Sequence, residues 1–177
     1  MKKGLTVIEL ISVVAIILIV VAISAPAVSR AREKSQEASS ISNMRQLYVA
    51  LELYRGDYET ATYGSMEAMG LPDGPQRLGP SVAHLHPPKK RPGIQYMYLP
   101  IPEAEDRRSL TWKDYTLQEN GRAVLLADIW FNFVPSDASS TYLFNPHVRK
   151  YVLGITLNGN IVRKTASGDL DLEWWQR

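Results

Sequence analysis

Residues 5–28 form an apolar run of 24 residues with a single charged side chain, Glu9. No other feature constrains the chain as tightly. At 1.5 Å per residue, a helix of that length is about 36 Å long, enough to cross a hydrocarbon core of about 30 Å. A carboxylate placed there costs roughly 2.5 kcal/mol or more on insertion scales. Only four residues precede the run, and two of them are Lys2 and Lys3. A plain membrane anchor is one reading, with both lysines cytoplasmic and the remainder outside. A secretory signal peptide is another, with an A-x-A site at Ala25-Pro26-Ala27. The apolar core of such a signal is usually only about 7–15 residues, and an acid is foreign to it. Neither reading gives Glu9 a task.

The chain has 177 residues, enough for one modest domain beyond the apolar segment. Its formal charge is +2, and setting aside Lys2 and Lys3 leaves 18 basic against 18 acidic residues. A nucleic-acid surface built on bulk charge is therefore not expected. There is no cysteine, so neither a disulfide framework nor a thiolate site exists. The absence of cysteine leaves an extracytoplasmic location open.

Beyond Pro26 the texture changes. Apolar residues recur at Ala38, Ile41, Met44, Leu47 or Tyr48, Leu51, Tyr54 and Tyr58. Spacings of three and four predict an amphipathic helix. Arg32, Lys34, Glu37, Arg45, Glu52 and Arg55 occupy the other faces, and Gly56 is a plausible end. The pattern predicts one continuous helix over residues 6–55, about 75 Å long. Its first half is greasy all round, and its second half is greasy on one side.

Gly4 followed by Leu5, then Glu9 and a long Leu/Ile/Val/Ala helix, resembles the N-terminal signal of type IV pilins and pseudopilins. The resemblance implies that a prepilin peptidase cuts after Gly4 on the cytoplasmic face and methylates the new N-terminus at Leu5. Phenylalanine is commonest at that position in the family. Residues 1–4 are then a leader, and 5–28 a transmembrane and assembly helix. Residues 29–58 continue it, and 59–177 form an extracytoplasmic head. Glu9 becomes the fifth residue of the mature chain, and the resemblance implies that it pairs with the N-terminal amine of a neighbouring subunit. Opposite charges attract strongly in a low dielectric, whereas either alone is penalised. Pro26 falls where many family members carry a helix-kinking proline. Ser42, Asn43, Gln46, Leu47, Ala50, Leu51, Tyr54, Asp57, Tyr58 and Glu59 match the helix end of pseudopilins that carry a His-x9-Asp-Gly pattern. Here His147 lies eleven positions before Asn158, and the turn is Asn-Gly, so any role tied to that aspartate does not carry over.

The fold class expected is α+β, a long N-terminal helix packed on a small antiparallel sheet. Residues 59–93 are rich in Gly and Pro and read as loops, with a short helix at 65–70. The pair His84 and His86, and the basic run Lys89, Lys90 and Arg91, read as solvated loop. Strands are expected at 94–99, 123–130, 151–157, 160–163 and 170–174. Asn158-Gly159 between two apolar runs predicts a hairpin whose two turn residues both take positive φ. Asp169, Asp171 and Glu173, with Asp137, are weighed for calcium, because major pseudopilins often hold this ion in a C-terminal acidic loop. Calcium takes about six to eight oxygens, and three alternating strand carboxylates do not close a loop. No metal or other cofactor is assigned.

No G-x-S-x-G, P-loop or H-E-x-x-H motif occurs. Asp57, Asp106, Asp114 and Asp128 form no spaced catalytic pair. The reading is a non-enzymatic filament subunit. Its partners, as the resemblance implies, are the prepilin peptidase, other pilin or pseudopilin subunits, an assembly platform protein, a cytoplasmic ATPase and the bacterial inner membrane. The alternative is a membrane-anchored extracytoplasmic binding module or enzyme, which leaves Gly4 and Glu9 without a role.

Overall fold

The computed structural model describes residues 7–56, 60–72, 85, 96–100, 110–129, 147 and 149–176. The chain divides into two compact units, residues 1–38 and 39–177.

Helix α1 runs Val7–Gly56 without interruption, with Pro26 inside it. In the first unit every described residue from 7 to 35 is exposed. Proline has no N–H to give the Ala22 carbonyl, so the helix there depends on its neighbouring hydrogen bonds. The two described hydroxyls in the apolar stretch, Ser12 and Ser24, turn back on the helix. Ser12 Oγ donates to the Ile8 carbonyl at 2.8 Å, and Ser24 Oγ to the Val20 carbonyl at 2.7 Å. Both polar groups are thereby satisfied without water.

In the second unit, α1 buries a stripe at Ser40, Met44, Leu47 and Leu51, spaced by three and four. Two expectations about the faces, both at the end of the first unit, are corrected. Ala38 is exposed, and Glu37, assigned to the outer face, is buried and paired with Lys34 at 3.0 Å. The ion pair lets Glu37 leave water, which a bare polarity pattern does not register.

Strands β1 (Met97–Tyr98), β2 (Val124–Asp128), β3 (Arg149–Thr156) and β4 (Ile161–Ser167) form one antiparallel sheet in chain order. One core joins the α1 stripe to Leu126, Leu153 and Ile155. A smaller cluster gathers Ala127, Val152 and Trp174. Since side chains alternate along a strand, Val152 and Leu153 serve opposite faces of the sheet. A bulge between Val124 and Leu126 interrupts that alternation in β2.

The turn after β3 differs from the one expected. Gly159 has φ +74°, but Asn158 does not take positive φ. Gly159 N–H donates to Thr156 O at 2.8 Å, and Thr156 N–H to Asn160 O at 2.9 Å. The loop is therefore three residues long, with glycine in the left-handed region. Asn158 is held by its own N–H to Gly121 O at 3.1 Å. Its side chain occupies the space a Cβ on Gly121 would need.

Helix α2 (Trp112–Glu119) was not foreseen. Thr111 caps it, accepting from Asp114 N–H at 3.2 Å and donating to the Asp114 carboxylate at 2.8 Å. Thr-x-x-Asp is a legible start signal. The strand expected at 170–174 is instead helix α3 (Leu172–Gln176). Asp171 Oδ1 accepts from Trp174 N–H at 2.7 Å, the geometry of an N-cap. A short alternating string is ambiguous, and the aspartate decides it.

The helix expected at 65–70 shrinks to one turn. Ser65 Oγ receives Ala68 N–H at 3.2 Å. At the other end, Gly70 (φ +62°) and Leu71 bond back to Glu67 O at 3.0 Å and Met66 O at 2.9 Å. Two caps five residues apart leave no room for a second turn.

Candidate functional site

The candidate site is the apolar stretch of α1. Of the large hydrophobic residues exposed among those described, all but Val49, Leu53 and Leu117 lie between Val7 and Val28. These side chains are 47% to 76% exposed. Fully burying one is worth about 1.5–3 kcal/mol, so a run of this length in water forgoes tens of kcal/mol. The segment requires a lipid or protein environment. Among the described residues, α1 is the one helix long and apolar enough to cross a membrane.

Glu9 lies in the first turn of α1 and is exposed. The unsatisfied N–H groups and partial positive charge of a helix start favour an acid there. Insertion scales credit each central Leu, Ile or Val with about 0.3–0.6 kcal/mol, so the run outweighs one carboxylate at about 2.5–3.5 kcal/mol. Pro26 lies inside the helix. Gly4 and Leu5 lie outside the described residues. So do Asp57, Tyr58, His84, His86, Lys89, Lys90, Arg91, Asp106 and Asp137.

The head holds a polar cluster that the sequence did not announce. Ser40, on α1, and Asp128, at the end of β2, are both buried. Ser40 Oγ donates to Asp128 Oδ2. The Tyr96 hydroxyl lies 3.4 Å from both Ser40 Oγ and the Ser40 carbonyl. Burial pushes the Tyr96 phenol up to about 12. The Ser40 hydrogen bond opposes that shift, the Asp128 charge adds to it, and an Asn43 hydrogen bond opposes it. The Ser40 hydroxyl replaces part of the water that the buried Asp128 carboxylate gives up. The hydroxyl periodicity of α1 carries no such signal, since serine is usually exposed.

The acids weighed as chemistry go to structure. The Asp114 carboxylate accepts from the Thr111 hydroxyl that caps α2, Asp171 caps α3, and Asp128 meets Ser40. No group of three or more His, Cys, Asp or Glu that would hold a metal ion is found among the described residues. His147 stands exposed in a turn. Leu85, which stands between His84 and His86 in the sequence, is buried in the main core.

Comparison with family models, with curated proteins and with solved structures finds no match to this chain.

Proposed function

We propose that the chain is a structural subunit of the type IV pilin-like class. It is processed at Gly4 and polymerises through α1 into a pilus or pseudopilus. One observation carries the reading. An exposed apolar helix bears a single acid, Glu9, in its first turn, and continues as the same helix into a folded head. A simple anchor needs the apolar surface and gains nothing from the acid. An assembling subunit uses both, because the apolar surface is shared among neighbours and the acid can pair with a neighbour's N-terminal amine.

In this reading the mature chain begins at Leu5. The helix is held in the inner membrane with the head outside, until the platform protein and ATPase add the subunit to the filament. The head supplies the outer surface and carries out no reaction.

Glu9→Leu separates insertion from assembly. The variant is expected to reach the membrane fraction at the wild-type level yet to be missing from the sheared filament fraction. Filament incorporation equal to wild type contradicts the proposal and favours a tethered binding module or enzyme.

A further inference from the structure

Basic residues follow the apolar stretch directly. Residues 29–36 contain Arg30, Arg32 and Lys34 against one acid, Glu33. All four are exposed. Lys34 is committed to Glu37 at 3.0 Å. Among the described residues, Arg30 and Arg32 take part in no ion pair.

Their position is informative. The described apolar residues 7–28 span about 33 Å as helix, close to the hydrocarbon thickness of about 30 Å. Arg30 and Arg32 follow Val28 by about 3 and 6 Å along the axis, within the headgroup layer. Helix side chains lean toward the N-terminus, which here means back toward the lipid. Each side chain is long enough to turn outward against that lean, so that its guanidinium reaches the level of the phosphates while its methylenes stay at the bilayer edge. A guanidinium matches a phosphate with two parallel hydrogen bonds.

The placement also opposes the usual charge bias. Lys2 and Lys3 lie at the other end of the span, and basic residues favour the cytoplasmic side at either end. A pair of arginines at the far end weakens the preference for one orientation unless something there binds them.

We infer that Arg30 and Arg32 form a collar that binds anionic phospholipid headgroups and so sets how deeply α1 sits in the bilayer. The inference rests on the proposed membrane-spanning role of α1. The partner is the lipid phosphate of an anionic bilayer. Each basic residue near such a surface contributes about fivefold in affinity.

The chain has no cysteine, so an introduced thiol is unique. Spin labels at Ala31→Cys and, separately, at Ile16→Cys in the full chain report depth from oxygen and nickel accessibility. The bilayers are phosphatidylcholine alone and phosphatidylcholine with phosphatidylglycerol. The Ile16 label is expected to be lipid-buried in both. The Ala31 label is expected to shift toward the bilayer when phosphatidylglycerol is present, and to shift back at high salt. R30Q/R32Q is expected to abolish the shift and leave the Ile16 label unchanged. An Ala31 label indifferent to phosphatidylglycerol, or a shift that survives R30Q/R32Q, overturns the collar while α1 still spans. A water-accessible Ile16 label in every bilayer overturns the spanning role and the collar with it.

Discussion

Tyr48 closes on Gly159. Its hydroxyl donates to the Leu157 carbonyl at 2.9 Å, and its ring would stand 3.0 Å from a Cβ on that glycine. Gly159 also has φ +74°, where other residues are strained. The contact ties α1 to the β3–β4 hairpin at its turn. Gly159→Ala is expected to cost about 1–3 kcal/mol, combining backbone strain and collision. Tyr48→Phe, which only removes the hydrogen bond, is expected to cost about 1 kcal/mol. Urea unfolding of the full chain in detergent, followed by circular dichroism, measures both. The double variant should fall short of additivity, because the two residues touch.

Ser40→Ala strips Asp128 of a hydroxyl donor inside the core. A buried acceptor left short costs about 1–3 kcal/mol. The exposed Ser42→Ala, two residues away, is expected to stay within about 0.5 kcal/mol. Equal midpoints for the two variants would show that the Ser40–Asp128 contact contributes nothing to stability.

Alkaline pH should unfold the head through its tyrosines. Tyr96 and Tyr115 are each pushed by burial from 10.0 up to about 12. For Tyr115 the Val124 N–H hydrogen bond opposes this shift and the Glu119 charge adds to it. Unfolded phenols ionise first, so this contribution is complete below pH 10 and is lost as pH rises from 10 to about 12. Lys150 acts in the opposite sense. Burial lowers its pKa from 10.5 against the pull of Asp169, so its contribution improves as pH rises through the folded value toward 10.5. Melting temperatures between pH 9 and 11.5 are expected to fall. Tyr115→Phe should flatten the slope. An unchanged slope would mean that its phenol titrates alike in both states.

The C-terminal helix depends on one aspartate. Asp171→Ala removes the acceptor for Trp174 N–H and is expected to cost about 1 kcal/mol, whereas Asp171→Asn should cost far less. Trp174 is buried, with the Lys164 amine 5.2 Å from its ring centre, and its neighbour Trp175 packs edge-on at 5.0 Å. A red shift in tryptophan emission in the alanine variant at mild urea, absent from the asparagine variant, is the expected signature.

The parts of this fold legible in the sequence are those written in long patterns. The helix expected over 6–55 is found at Val7–Gly56, because a long apolar run followed by regular spacings of three and four outweighs any local ambiguity. The strands around Asn158-Gly159 are found, although only Gly159 takes the left-handed conformation. Short elements misled where a cap, and not periodicity, decides. Asp171 turned an alternating string into a helix, and Thr111 began one where no apolar stripe called for it. Ser40 and Asp128 were illegible because they lie 88 residues apart and only the folded core brings them together. Of the proposed assembly site, the apolar surface and Glu9 were visible as composition alone.

The most direct measurement is the N-terminal mass of the protein from its native host, with Gly4 intact and with Gly4 replaced by a bulky residue. A mature chain beginning at Leu5, absent from the Gly4 variant, is the result expected of a pilin-class subunit. A chain retaining Met1, or one beginning at Val28, contradicts that assignment and leaves an anchored or a secreted head in its place.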